Sequence, residues 1–343
     1  MVVYAWSTPW VLCAMAIAVE GGALYGAQFV GGGADGDGNT TASLVRFDPT
    51  KSTWSKVMVF GTVPFSALAG LLATDTGTKW WLAAGESGQV GQNTLFYAAS
   101  STAKVVRLTT SVPLTSMEYV SAADEFLATW QEPGSNKHLL FGALDPYVAK
   151  ENQMIDLTVN ASIPWATFGS SCLDPASAAY TFIVGVESVA GGQFSLAQVA
   201  PNGHGIDVTL GKPCASGCTI QSVVASTNGI DGIIDSGDSA PPLLPIALTM
   251  LPQRHNATRG ATYTYTWSEW DLKAGAPVRA LGSWKSPLYN TFVTSAIGGG
   301  AIYAANAFGE TSSVLRLELS TGTVASLPTA GLDGALMDLV YVE

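Results

Sequence analysis

The chain has 343 residues with 15 Lys and Arg against 26 Asp and Glu, so its formal net charge is −11. Charged residues make up only 12% of the chain, about half the usual share for a soluble domain. Apolar residues make up 48%, which is enough for a folded core and excludes a disordered chain. The acidic balance and the lack of a basic run argue against a nucleic-acid partner.

The first apolar run, residues 10–19, is too short to span a bilayer. Secretory signals normally begin with positive charge, whereas the first basic residue here is Arg46. We therefore expect this run to be a folded strand. The alternative is the core of a signal peptide, and a signal peptide upstream of the run also stays open. No membrane-spanning segment is predicted.

Short runs of β-branched and aromatic residues recur along the rest of the chain, separated by Gly, Asn, Asp and Pro. Helical spacing of apolar residues is nearly absent, so the pattern predicts an all-β fold. Runs of small and apolar residues recur at intervals of about 45–55 residues, with one interval of about 70. They predict inner strands near 12–19, 66–73, 117–122, 166–172, 221–226, 291–297 and 335–342.

An internal repeat relates the two ends of the chain. Residues 19–29 are similar to 297–307, and residues 43–54 are similar to 313–324. A shorter copy occurs at 270–275. Among the matched pairs are Tyr25 with Tyr303, Arg46 with Arg316, and Asp48 with Glu318.

A period of this length with four strands per unit is typical of a β-propeller. The sequence therefore predicts one propeller domain over residues 1–343, with six full four-stranded blades. The two termini would either pair as a small seventh blade or extend the sheet edge of a six-bladed ring. A Pro-rich stretch predicts one long, insertion-like loop at about 236–260, and such loops often carry binding surfaces.

One unit resembles a kelch repeat. It has a double glycine after its second strand and an aromatic-Asp-Pro step followed by Trp in its third. The residues in those places are Gly31, Gly32, Phe47, Asp48, Pro49 and Trp54. The resemblance covers a single unit and implies a kelch-like propeller architecture, without a partner or an activity.

Two acidic, Gly-rich stretches could each wrap a Ca²⁺ ion, because this hard ion prefers several oxygen ligands from one turn. The alternative for both stretches is ordinary turn acids exposed to solvent. The candidate ligands are Asp35 and Asp37 in the first, and Asp231, Asp235 and Asp238 in the second. No other cofactor is predicted.

The sequence also indicates covalent modification. Cys214 and Cys218 flank a short Ala-Ser-Gly turn, which predicts a disulfide between them, or from one of them to Cys172. Reduced, partly buried thiols are the alternative. Three sequons predict N-linked glycans on Asn39, Asn160 and Asn256.

No motif for a catalytic serine, a phosphate-binding loop or a zinc site is present, so no catalytic residue is predicted. A surface poor in charge and rich in Ser, Thr and Asn favours a secreted or cell-surface location over the cytosol. We expect an extracellular, non-enzymatic binding or structural module, such as a glycosylated subunit that self-associates or binds a protein partner.

Two alternatives remain open. The first is a propeller enzyme acting on carbohydrates or lactones, and the second is an intracellular kelch-like adaptor. Acidic side chains converging on the axial opening would favour the enzyme, whereas small residues there would favour the module.

Overall fold

The computed structural model describes residues 22–31, 39–64, 70–84, 92–99, 104–131, 139–148, 151–156, 165–174, 177–186, 193–201, 206–225, 244–252, 262–286, 292–306 and 313–343. None of these residues belongs to a helix, so this part of the chain contains no helical membrane span. All of its regular structure is β-strand, as the sequence predicted.

The strands are short and evenly distributed, as the alternation of β-branched runs and turn residues predicts. In chain order they are β1 (Ala23–Gly31), β2 (Asn39–Asp48), β3 (Thr53–Pro64), β4 (Gly70–Thr74), β5 (Lys79–Ala84), β6 (Gln92–Ala99), β7 (Val105–Val120), β8 (Glu125–Gln131), β9 (Leu139–Leu144), β10 (Glu151–Asp156), β11 (Trp165–Leu173), β12 (Tyr180–Val186), β13 (Gln193–Pro201), β14 (Ile206–Leu210), β15 (Thr219–Val224), β16 (Ile246–Pro252), β17 (Tyr263–Asp271), β18 (Ala276–Ser286), β19 (Phe292–Gly298), β20 (Ala301–Asn306), β21 (Ser313–Glu318), β22 (Thr323–Leu327) and β23 (Ala335–Val342).

These strands form six antiparallel, four-stranded blades. Blade 1 has the order β23-β1-β2-β3, and blades 4, 5 and 6 are β11–β14, β15–β18 and β19–β22. Blades 2 and 3 share the long strand β7, whose first part pairs with β6 and whose second part pairs with β8. The inner strands contact one another around a closed ring in the order β23, β4, β7, β11, β15 and β19. The predicted propeller is confirmed.

The C-terminal strand closes the ring. β23 pairs with β1 along its length and extends the sheet of blade 1 at its inner edge. β23 thus takes the inner position of blade 1, which the sequence assigned to residues 12–19, and does not begin a seventh blade. Its position is fixed by burial, because Leu336 and Leu339 pack with Leu24 of blade 1 and Tyr303 of blade 6. The N-terminal run 1–21, including the predicted strand 12–19, lies outside the described residues.

The internal repeat corresponds to the second and third strands of blades 1 and 6. Tyr25 lies opposite Arg46 in one blade, and Tyr303 lies opposite Arg316 in the other. The glycines before these strands make room for the Tyr341 side chain. A Cβ added at Gly22 would lie 2.3 Å from the Tyr341 hydroxyl oxygen, and one added at Gly298 would lie 1.9 Å from the ring. The sequence repeat therefore reflects the same strand pairing in blades 1 and 6.

Tryptophans pack between blades. Trp80, Trp81, Trp267 and Trp270 are all at most 2% exposed, so they belong to the core. Trp81, for example, stacks on Tyr119 with ring centroids 4.6 Å apart. Burial of such large rings contributes strongly to holding neighbouring sheets together.

The structure differs from the sequence expectation within the predicted long loop at 236–260. Residues 246–252 form β16, the second strand of blade 5, and Ile246, Leu248 and Met250 are buried. The prolines before this run led to its assignment as a loop, although its first five residues are all buried. Residues 226–243 and 253–261 lie outside the described residues.

Candidate functional site

The six inner strands enclose an axial cavity of about 310 Å³. Its walls carry apolar side chains, hydroxyl groups and two carboxylates. The polar lining residues are Glu118, Ser170, Ser171, Thr294, Ser295 and Asp338. The axis therefore holds both the acids expected of an enzyme and the small residues expected of a module.

Asp338 links the closing strand β23 by hydrogen bonds to its two neighbouring inner strands, β4 and β19. Its Oδ2 accepts a hydrogen bond from the backbone N–H of Leu72 in β4 at 2.6 Å. Its Oδ1 accepts one from the Thr294 hydroxyl in β19 and one from the Leu339 N–H at 2.8 Å. Both oxygens of this carboxylate are thus engaged in holding the ring closed.

The other inner strands are joined in a similar way. The hydroxyls of Ser295 in β19 and Ser222 in β15 lie 2.6 Å apart. The Ser170 hydroxyl in β11 donates to the carbonyl oxygen of Val223 in β15 at 2.7 Å. The Ser171 hydroxyl donates to Glu118 Oε1 in β7 at 2.8 Å. These bonds connect β4, β23, β19, β15, β11 and β7 in that order, and we call them the axial belt.

The two axial acids differ in protonation. Burial, together with the nearby Asp338 charge, raises the pKa of Glu118 to about 8, against the hydrogen bond from Ser171. Burial also raises the pKa of Asp338, to about 6, against the bonds from Leu72 and Thr294. At neutral pH Glu118 therefore carries a proton while Asp338 is charged. Such a split can support acid–base chemistry, although here both acids are also bonded into the belt.

A second cavity, of about 570 Å³, is lined by residues of blades 1 and 6. The rings of Tyr303 and Tyr341 stack with centroids 5.9 Å apart, and Arg316 pairs with Glu318 at 2.6 Å. Hydrogen bonds from the Thr50 hydroxyl and the Lys51 N–H hold the pKa of Asp48 well below its usual range. Arg316 is thus paired with Glu318, while Asp48 stays charged at neutral pH and pairs with Lys51 at 3.2 Å.

The outer edges of the blades expose apolar residues. Among the described residues, the outer strands β3, β10, β14, β18 and β22 have a hydrogen-bonded strand on one side only, and three of them, β3, β14 and β18, expose large apolar side chains. Val57 and Val59 on β3, Ile206 and Val208 on β14, and Val278 on β18 are between 43% and 59% exposed. Unpaired edges of this kind are templates for pairing with another strand.

These edges differ in regularity. The registers of β3 with β2 and of β18 with β17 each shift twice, whereas β14 pairs with β13 without a shift. Bulges twist an edge away from further pairing, and proteins use them to protect edges. β14 therefore presents a regular edge, with Ile206 and Val208 two residues apart on one face.

The predicted modification sites fall in different places. Asn39 lies exposed at the start of β2, where a glycan has room. Cys172, Cys214 and Cys218 are thiols in the structure and belong to one apolar cluster between blades 4 and 5. Asn160 and Asn256 lie outside the described residues, as do the candidate calcium ligands Asp35, Asp37, Asp231, Asp235 and Asp238. Within the described part of the chain, no group of three His, Cys, Asp or Glu side chains is placed to hold a metal.

Sequence reasoning missed Glu118 and Asp338. Both acids sit inside apolar runs that were assigned to inner strands. An acid in such a run is the signal that could have identified them, since unpaired buried charge is costly and acids there need partners.

No known protein family and no curated protein matches the chain. Several solved structures share its fold. A chain of a nidogen/laminin complex aligns with 94% of this chain and 99% of its own length, at 9% identity and a TM-score of 0.51. TolB from Acinetobacter baumannii aligns over 93% of this chain and 66% of its own, at 11% identity and a TM-score of 0.55. A candidate 6-phosphogluconolactonase from Bacteroides fragilis aligns over 95% and 99%, at 9% identity and a TM-score of 0.50. At these identities the similarity defines the class of protein, a six-bladed β-propeller; the kelch type is not established.

Proposed function

We propose that the protein is an extracellular, non-enzymatic binding module that associates through the outer edge of blade 4. The observation that carries the proposal is the regular strand β14, which pairs with β13 on one side, has no strand on its other side among the described residues, and exposes Ile206 and Val208. Strand addition at such an edge supplies backbone hydrogen bonds for affinity, and the exposed side chains supply specificity. A chain with the same fold was solved as part of a nidogen/laminin complex, which is consistent with partner binding.

The partner we propose is a second copy of the same chain. A two-fold antiparallel pairing centred on Val208 places Val208 against its own copy and Asp207 against Thr209. This register avoids placing Asp207 against its own copy, which would oppose the contact. The net charge of −11 opposes association at low salt, so we expect association to strengthen as salt screens it.

Sedimentation velocity over a dilution series tests this contact. V208K places a charge on the regular edge and should abolish a dimer that the wild type forms reversibly. V57K is the matched control, because Val57 is similarly exposed on the bulged edge β3. Loss of the dimer in V208K alone supports the proposal. A wild type that stays monomeric at high concentration, or a dimer that survives in V208K, contradicts it.

The extracellular location rests on the low charge content, the three sequons and the exposed position of Asn39. The intact mass of the native protein tests it, since N-linked glycans are not added in the cytosol. Native protein with glycan mass removed by N-glycosidase supports secretion and excludes the intracellular adaptor. Native protein from the intact source with the bare polypeptide mass would count against it.

One observation favours a hydrolytic enzyme as the second candidate. Glu118 and Asp338 line the same axial cavity with opposite protonation states at neutral pH, as an acid and a carboxylate must in glycoside or lactone hydrolysis. A panel of aryl glycosides and lactones, assayed with wild type and E118Q, separates the two functions. Turnover that E118Q abolishes would favour the enzyme and contradict the non-enzymatic module.

A further inference from the structure

The chain passes from blade 4 to blade 5 through a turn at residues 213–218 that carries two cysteines. The Cys214 N–H donates to the Phe194 carbonyl at 2.9 Å, which fixes the start of the turn to β13. The Cys218 N–H donates to the Ala215 carbonyl at 2.8 Å, which closes the turn. Gly217 has a φ of +81°, a left-handed conformation that glycine adopts easily. The backbone between the two cysteines is therefore held in one shape.

The two thiols lie side by side in this turn. Cys214 Sγ donates to the Cys218 carbonyl oxygen at 3.0 Å. A hydrogen bond between the thiols lowers the pKa of Cys214 and raises that of Cys218. Cys214 is buried, whereas Cys218 is half-buried and reachable from solvent. The pair thus has one sulfur inside the cluster and one at its surface.

We propose that Cys214 and Cys218 form a redox-active pair, in which an external disulfide enters at Cys218 and Cys214 completes a disulfide across the turn. This inference goes beyond the binding function and does not depend on it. Oxidising surroundings outside the cell favour the disulfide form.

The exchange has two steps, written here with oxidised glutathione as the oxidant. The Cys218 thiolate attacks one glutathione sulfur, which forms a mixed disulfide and releases one glutathione thiolate. The Cys214 thiolate then attacks Cys218 Sγ, which breaks the mixed disulfide and releases the second. The two protein thiols lose two electrons and two protons, and one molecule of oxidised glutathione takes them up and becomes two molecules of reduced glutathione. The raised pKa of Cys218 slows the first step, because the thiolate is the attacking form, and Cys218 is the entry point because it is the sulfur that solvent can reach. The second step is favoured by position, because Cys214 Sγ already lies within the same turn, 3.0 Å from the Cys218 carbonyl oxygen.

Cys172 belongs to the same apolar cluster but does not take part. Burial holds the pKa of its thiol well above the usual range, and a hydrogen bond with the Thr181 side chain also engages it. A buried thiol of this kind is inert towards exchange. Of the pairings considered from the sequence, the structure therefore favours Cys214 with Cys218.

The test uses the full chain with C13S, which removes the one cysteine outside the described residues. After treatment with oxidised glutathione and alkylation, peptide mass mapping should show a 214–218 disulfide, with Cys172 unmodified by glutathione. C214S should accumulate a glutathione adduct on Cys218, whereas C218S should remain largely unmodified at Cys214. The oxidised protein should unfold about 3 °C higher than the reduced protein, since the crosslink closes a short loop.

The outcomes separate clearly. Free Cys214 and Cys218 after oxidation, or a stable adduct on the C13S protein without internal exchange, would overturn the proposal. An adduct in C218S but not in C214S would reverse the proposed roles and contradict it. Adding C172S to the C13S protein should leave the 214–218 disulfide unchanged. If the disulfide no longer formed without Cys172, the proposed pair would be wrong.

Discussion

The inner and outer edges of the blades have opposite chemistry. At the inner edge, acids and hydroxyls such as Asp338, Glu118 and Ser222 bond to the neighbouring blade. At the outer edge, the β-branched residues Ile206 and Val208 are exposed on a strand whose far side is unpaired among the described residues. In most domains the apolar groups are inside and the polar groups outside.

The difference shows which polar groups hold the fold together. A ring of sheets leaves its inner strands without hydrogen-bonded neighbours on the axial side, so side chains must join them. The axial acids are used for this purpose. We therefore assign ring closure to the axis and association to the outer edge, and each prediction below tests one side of this assignment.

The largest effect is expected from D338A, which breaks the axial belt where β23 closes the ring. Three donors, the N–H groups of Leu72 and Leu339 and the Thr294 hydroxyl, lose their acceptor, at about 1–3 kcal/mol each. Removing a buried charge offsets part of this loss. We expect a net loss of about 3 kcal/mol in the free energy of unfolding at pH 7, measured by urea denaturation.

T294V is the graded control, because it removes one of the three donors and should cost about 1 kcal/mol. If D338A and the wild type had the same midpoint of urea denaturation, the axial belt would not be needed to close the ring. Dimer formation should persist in both variants wherever they remain folded, since β14 lies in another blade.

The next effect concerns pH. The folded-state pKa of Glu118 is about 8, above its ordinary value, so the folded state holds this proton more tightly than the unfolded chain. Its contribution to stability is therefore complete in mild acid and is lost as the pH rises towards 8. E118Q keeps an acceptor for Ser171 and has no proton to lose. Between pH 5 and 8, the free energy of unfolding of the wild type should decrease more steeply with pH than that of E118Q. The difference between the two slopes should be at most roughly 1 kcal/mol per pH unit.

Urea denaturation at four pH values between 5 and 8 measures this difference in slope. Asp338 titrates in both proteins, with a pKa of about 6, and so cancels from the comparison to first order. Equal slopes for E118Q and the wild type would show that Glu118 is ionised in the folded protein at neutral pH, contrary to the assignment.

The smallest effect on the fold itself is expected at the outer edge. V208K and V57K both place a lysine on an exposed strand and should change the free energy of unfolding by less than about 0.5 kcal/mol. Urea denaturation of the two variants checks this expectation. A large loss in V208K alone would mean that its effect on association reports unfolding and not a lost contact.

Much of the fold follows from the sequence because propeller blades are local units. Each blade joins neighbouring segments through short turns, so the Gly-rich repeat at Tyr25 and Tyr303 and the small-residue inner runs were sufficient to predict the blades. The position of β23 was less certain, since its partner β1 lies at the other end of the chain. β16 was missed because prolines precede a short run.

The sites were less predictable for the same physical reason. Glu118 and Asp338 lie 220 positions apart in the sequence and share a cavity only because the ring closes. The regular edge of β14 depends on the absence of a register shift, which strand propensity does not encode. Cys214 and Cys218 were found because their contact is local.

Hydrogen–deuterium exchange at low and high protein concentration tests the central assignment most directly. Self-association through the outer edge of blade 4 predicts that the amides of residues 206–210 gain protection as concentration rises. The amides of β3 and of the inner strand β23 should exchange at unchanged rates. Protection gained at the axis or at β3, with 206–210 unchanged, would contradict the account.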